Sequence, residues 1–196
     1  MKATFFERLS SYLIDTLIVS LIFSLICLGF GNYTSEAEKA MLELENKMLE
    51  NSITMEEYLV EYKDILYDYQ KENVLQSGIS VALTIAYFVV FQYMNKGQTI
   101  GKKILNIRVV DKKSKKSISI LKGLLRSFIV FSVVSGTCCI LFLYIFNRDT
   151  YVISYSALLF LEAIFTIVTM ILVLYKKDGR GLHDMMANTI VIKEKK

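Results

Sequence analysis

Four charged residues sit in or beside apolar sequence, and their types and spacing define the chemistry this chain could carry. Arg8 and Asp15 are seven residues apart in "ERLSSYLIDTLIVSLI". At about 100° per residue they share one helix face, about 10 Å apart along the axis. Glu162 lies in "YSALLFLEAIFTIVTM", with no Lys or Arg within ten residues. Asp184 follows His183, the only histidine. A carboxylate in hydrocarbon costs about 2.5–3.5 kcal/mol or more, so it must face a partner or water. Such residues can hold a cation, carry a proton, or lock helices together as a buried ion pair. The expected partner of Asp15 is Arg8, reached by an extended side chain, or Arg126 at the inner end of the third apolar run. Asp184 is expected to cap the next turn or to pair with Arg8 or Arg126. His183 is expected to be a hydrogen-bonding structural residue rather than a proton relay. For Glu162 two roles stand side by side: an ion or proton site, and a hydrogen-bonded packing residue.

A second stretch, "NKGQTIGKKILNIRVVD", has the look of a phosphate-binding loop, but its spacing fails. A P-loop needs four residues between its glycines and a hydroxyl after the lysine. Gly97 and Gly101 enclose only three residues, and Lys102 is followed by Lys103. The motif Gly97, Gln98, Gly101, Lys102 is therefore expected to be structural. Its glycines turn the backbone at the membrane surface, with positive φ expected at Gly101, and Lys102 faces lipid headgroups.

The elements that position these residues are apolar runs. Hydrophobic residues make up 54% of 196 positions and the mean hydropathy is +0.43. Four runs, 9–30, 74–94, 124–146 and 151–175, each approach the ~20 residues that cross a bilayer, and in lipid they must be helices. The first run is expected to remain in the protein, because its basic flank is minimal and Asp15 interrupts it. Residues 96–126 carry ten Lys/Arg against one Asp, whereas residues 31–73 carry eleven acidic residues against four basic. The positive-inside rule then puts both termini and the basic loop 95–123 in the cytoplasm, and the acidic segment 34–73 outside. Anionic lipid headgroups, not nucleic acid, are the expected partner of the basic loop.

The acidic segment reads as a helical hairpin. Ser35-x-x-Glu38 and Thr54-x-x-Glu57 are capping boxes, and Asn51-Ser52 is the turn between the helices. On the other side, 104–110, 117–120 and 188–192 read as three short strands of a small cytoplasmic sheet. Cys27, Cys138 and Cys139 all fall in apolar runs without metal-ligand spacing, so packing is their expected role, with no metal and no cofactor. Gly78, Ala82 and Ala86, and Ser132 with Gly136, recur every four residues and permit close helix contact.

Three blocks together resemble the RDD family of bacterial membrane proteins: "FFERLSSYLIDTLIVSLI", "GQTIGKKILNIRVVD" and "DGRGLHDMMANTIVI". Arg8 and Asp15 match the family's Arg and first Asp, and Asp184 its second Asp. The resemblance implies a multi-pass protein of a bacterial cell membrane. It also implies a possible exchange of sodium and protons, proposed for some members.

The expectation is thus a single α-helical membrane domain over 1–196. It has four transmembrane helices, a small cytoplasmic β element and an extracytoplasmic helical hairpin. The leading function is transport or exchange of monovalent cations, with Arg8, Asp15, Glu162 and Asp184 as intramembrane charge candidates. Four spans make a thin wall around any pathway, so a homo-oligomer is expected. The alternative is a non-transporting membrane scaffold or regulatory protein. No catalytic motif is present, so no enzyme is expected.

Overall fold

In the computed structural model, which describes residues 1–29, 36–130 and 132–194 (side chains of 129 and 130 excepted), apolar helices carry most of the chain. Helix α1 (Phe5–Leu28) starts at a capping box in which Thr4 and Glu7 satisfy each other's backbone N–H. Helices α2 (Glu36–Leu49) and α3 (Met55–Glu72) form the expected hairpin. The Thr54–Glu57 capping box is present, while Ser35 lies outside the described residues. Helix α3 stops at Asn73, and α4 (Val74–Met94) follows at once, so the two are separate helices. Within α4, residues Ala86–Phe91 form a π-helical turn. Short helix α5 (Ile100–Ile104) and strand β1 (Ile107–Asp111) come next. Helices α6 (Ile120–Val130) and α7 (Val133–Ile145) occupy the third apolar run. Helix α8 (Arg148–Tyr175), helix α9 (Leu182–Met186) and strand β2 (Thr189–Lys193) complete the chain.

Among the described residues three helices, α1, α4 and α8, are long and apolar enough to cross a membrane. The α6–α7 pair makes a fourth only if its two halves count as one span, because they bend by 71°. No proline is involved. Ser132 takes a left-handed conformation, φ 54°, and the Ser135 hydroxyl donates to its carbonyl oxygen at 3.2 Å. Such a break is tolerated in a membrane where neighbouring groups satisfy the freed backbone. Three helices also begin earlier than the apolar runs: α1 at Phe5, α6 at Ile120 and α8 at Arg148. Asn147 caps α8, its side chain accepting the Thr150 N–H. The large side chains on the outside of the bundle are apolar, among them Leu17, Leu21 and Leu161, each more than 60% exposed. That surface suits lipid.

The sheet has two strands, not three. β1 pairs antiparallel with β2, Val109 opposite Val191. The third expected strand reduces to one bridge, Ser117 to Val110, because α6 begins three residues later. The far edge is covered instead by the N-terminus: Lys2 bridges to Ile192, and the Ala3 N–H donates to the Val191 carbonyl. Ala3, Ile107, Val109, Ile118 and Val191 close a small core there. At the other end, the hairpin is tied to the start of α8 by Arg148 on Asp68 at 2.7 Å and Lys63 on Asp149 at 2.6 Å. Cys139 is buried beside Tyr151 and Gln70, and all three cysteines are free.

Candidate functional site: two charge clusters and two cavities

At the sheet end, α9 places Asp184 between two helices. Its carboxylate is fully buried. Arg8 of α1 donates to Oδ2 at 2.8 Å, and Arg126 of α6 donates to Oδ1. Arg126 also donates to Thr189 Oγ1 at 2.8 Å. Burial pushes the Asp184 carboxyl up, but the guanidinium of Arg126, with His183 and Arg8 beside it, holds it well below the usual carboxylate range. His183 lies 3.6 Å from the same carboxylate and is nevertheless pushed down to about 4 by burial. It is therefore neutral at pH 7.

Asp15 lies in a separate cluster, and neither expected arginine reaches it, since both are committed to Asp184. Its partners come from the 97–102 motif, from α4 and, through the Ser11 hydroxyl at 3.4 Å, from α1 itself. Oδ1 accepts from the Tyr87 hydroxyl at 2.7 Å and the Gly101 N–H at 2.8 Å. Oδ2 accepts from the Thr99 hydroxyl at 2.5 Å and lies 3.6 Å from Lys102 Nζ. Asp15 is fully buried, so this set replaces its hydration shell.

Lys102 is consequently not a headgroup-facing residue. It is buried, stands over the Phe88 ring at 5.9 Å, and bonds Thr99 Oγ1 at 3.1 Å. Burial pushes its ammonium down to about 8, with Asp15 opposing the shift. The two glycines of the motif do different jobs. Gly97 has φ +92°, and a Cβ there would stand 2.1 Å from the Val109 carbonyl oxygen. Gly101 needs no positive φ. A Cβ there would meet the Ser11 carbonyl oxygen at 2.5 Å and the Asp15 carboxyl at 2.9 Å, so its role is close approach to α1. Gln98 donates to the Ile107 carbonyl at 3.1 Å and anchors β1.

Glu162 joins neither cluster. It is half-buried on α8, and Oε1 accepts from the Ser132 hydroxyl at 2.7 Å, at the α6–α7 break. Tyr155, Leu159, Glu162, Thr166 and Thr169 recur at three- and four-residue spacing, which puts them on one stripe of the helix. Tyr155 and Leu159 line a cavity of about 580 Å³ on the hairpin side, and Ser132 lies in its wall. The other walls carry Ser77, Ser80 and Thr84 of α4, together with Glu38, Gln70 and Gln76. Thr166 and Thr169 line a second cavity of about 180 Å³ on the sheet side. Glu162 thus stands on the stripe between the two. The small-residue repeats separate in the same way: a Cβ on Gly136 would meet Val81 at 2.6 Å, whereas nothing lies within 4 Å of one on Gly78.

Tyr87 and Thr99 are the site residues that the sequence alone did not assign to Asp15. Tyr87 falls on the same polar stripe as Ser77, Ser80 and Thr84, but the π turn alters the helix register there. Thr99 caps α5, and its position before that short helix is the only local sign of it.

The model of the RDD family matches residues 2–188, nearly the whole chain. No curated protein and no solved structure matches it.

Proposed function

We propose that this chain, which belongs to the RDD family, carries monovalent cations across a cell membrane in exchange for protons, as a non-enzymatic homo-oligomer. One observation carries the reading: Glu162 stands at the α6–α7 break, next on its stripe of α8 to the polar hairpin-side cavity, and bonds Ser132 in that cavity's wall. The hairpin-side cavity suits a hydrated cation, since it offers hydroxyl and amide oxygens and the acidic Glu38. A carboxylate beside a broken helix can strip and hold such an ion, because irregular backbone at membrane depth lines a polar path. Among the described residues Glu162 has one hydrogen bond, to a rotatable hydroxyl, so it is the acid most able to change partners. In this reading the α6–α7 pair is one span, giving four in all. The excess of Lys and Arg supports an orientation with the sheet and both termini in the cytoplasm.

Asp15 and Asp184 serve this path as fixed ties.

Sodium and proton flux in proteoliposomes tests the reading. The wild-type protein moves sodium against an imposed pH gradient. Glu162→Gln keeps the fold and loses the flux by about tenfold or more. Wild-type vesicles that carry no monovalent ion would overturn the reading. The scaffold alternative, with the acidic hairpin and basic loop as working surfaces, would then take its place.

A further inference from the structure

The sheet-side cavity has walls that do not suit a hydrated cation. Its lining is mainly apolar, with Phe5, Leu9, Met170 and Val173 among its residues. Its charged lining residues are Arg8, Lys102 and Arg126, with neutral His183. The two carboxylates behind them, Asp15 and Asp184, leave one positive charge in excess. Four polar atoms of lining residues are buried without a hydrogen-bond partner among the described residues: Arg8 Nε and Nη2, His183 Nδ1 and Thr169 Oγ1. Thr169 is 7% exposed. Unmade bonds of this kind are costly in a buried site, and a ligand with acceptor oxygens would satisfy the guanidinium and hydroxyl donors.

The cavity also has a way in from the bilayer. Its walls are one face of α1 and one face of α8, and these two spanning helices do not pack along each other; α1 rests on α5 and α4, and α8 on α7 and α3. On either side of the gap, Tyr12 and Met170 are partly exposed to the lipid-facing surface.

We propose that this gap is a site for an anionic phospholipid, with the phosphate at Arg8 and Thr169 and one acyl chain laid between α1 and α8. Charge complementarity selects the headgroup, since a zwitterionic lipid adds a cation to a site already positive. The apolar walls select a lipid over a free anion. The site is independent of the ion path, and its failure would leave the transport reading untouched.

The test uses the absence of tryptophan from the chain. Tyr12→Trp puts one indole on the cavity wall, and Phe160→Trp puts one on the lipid-facing side of α8, where Phe160 is 68% exposed. Each full-length protein is placed in bilayers containing either brominated phosphatidylglycerol or brominated phosphatidylcholine with the same chains. Quenching at Tyr12→Trp should favour phosphatidylglycerol by about fivefold, the scale of one basic residue acting on one anionic headgroup. Quenching at Phe160→Trp should show no more than a small preference. Adding Thr169→Val to Tyr12→Trp should reduce the preference, and Val173→Phe should abolish it by filling the gap. Phe5→Trp serves as a second wall reporter if Tyr12→Trp does not fold. Equal quenching by the two lipids at the wall would overturn the proposal. So would the same preference at Phe160→Trp, which marks general surface attraction. If inorganic phosphate displaces the brominated lipid, the pocket is a soluble-anion site and the lipid assignment falls.

Discussion

Asp184, at the sheet end, and Glu162, halfway along α8, are held in opposite ways. Asp184 has no exposed surface and receives two guanidinium groups, from helices far apart in sequence. Glu162 is half-buried and receives one hydroxyl, from Ser132 in the wall of a polar cavity. Asp15 resembles Asp184 in burial but is held mainly by neutral donors: hydroxyls, one backbone N–H and a lysine at 3.6 Å. The difference separates acids that assemble the bundle from one that can exchange a ligand. An acid gripped by several donors from several helices cannot release them without moving those helices. An acid with one rotatable partner can.

The comparison breaks most visibly if Asp184 is neutralised. Asp184→Ala leaves Arg8 and Arg126 buried side by side without their shared anion. Removing one partner of a buried pair typically costs about 3–5 kcal/mol. The variant should fail to accumulate, or should unfold in detergent well below the wild-type temperature. A stable Asp184→Ala protein would show that the cluster carries no structural weight. Asp15→Asn should cost less, because hydroxyl donors can turn to bond an amide.

Next in size is Gly101→Ala. The added Cβ would meet backbone of α1 and the Asp15 carboxyl, both within 3 Å, and the carboxyl is itself buried and fixed by its hydrogen bonds. Overpacking of this kind costs about 1–3 kcal/mol. Detergent thermal melts of Gly101→Ala beside Gly78→Ala check it. The second should be neutral or better, since Gly78 is helical and nothing stands near its Cβ position.

These particulars mark where the sequence was legible. The stripe from Tyr155 to Thr169 is legible as a 3.6-residue period, a local property of a helix. The choice of Arg8 or Arg126 for Asp184 followed from charge and depth, although not the fact that both bind at once. The partners of Asp15 were missed because they depend on a fold-back: the segment after α4 tucks under α1, and only Gly101 lets it come so close. Nothing local distinguishes a buried Lys102 from an exposed one in a run of basic residues. The break at Ser132 has no proline or glycine to announce it. The strand expected at 117–120 lost to a helix start at Ile120, and the N-terminus took over the free edge of the sheet.

The pH response should separate the two ends further. His183 is pushed down to about 4 by burial, from an ordinary value of 6.5. Its unfolded form binds a proton at a higher pH than its folded form. Stability therefore rises with pH across the window from about 4 to 6.5 and is lost as acid is added. The effect is on the order of 3 kcal/mol. Asp184, held below its ordinary range, adds to the same acid sensitivity at lower pH. In His183→Gln the fall in melting temperature between pH 6.5 and 4 should flatten. A fall as steep as that of the wild type would show that His183 titrates normally.

The smallest effect on stability belongs to Glu162, and it is the most informative. Its bond to Ser132 joins a half-buried acid to a hydroxyl beside a cavity that water can enter, so water can replace either partner. Ser132→Ala and Glu162→Gln, alone and together, form a double-mutant cycle in detergent melts. The coupling should be about 1 kcal/mol or less, the usual net worth of one hydrogen bond. Flux should behave differently: Glu162→Gln should abolish it, while Ser132→Ala should only slow it, because the carboxylate remains. A coupling of several kcal/mol, with flux unchanged in Glu162→Gln, would place Glu162 with Asp184 among the residues that assemble the bundle. The distinction between the two kinds of acid would then fail. Small coupling with lost flux would sharpen it, since the residue contributing least to the fold would be the one the ion needs.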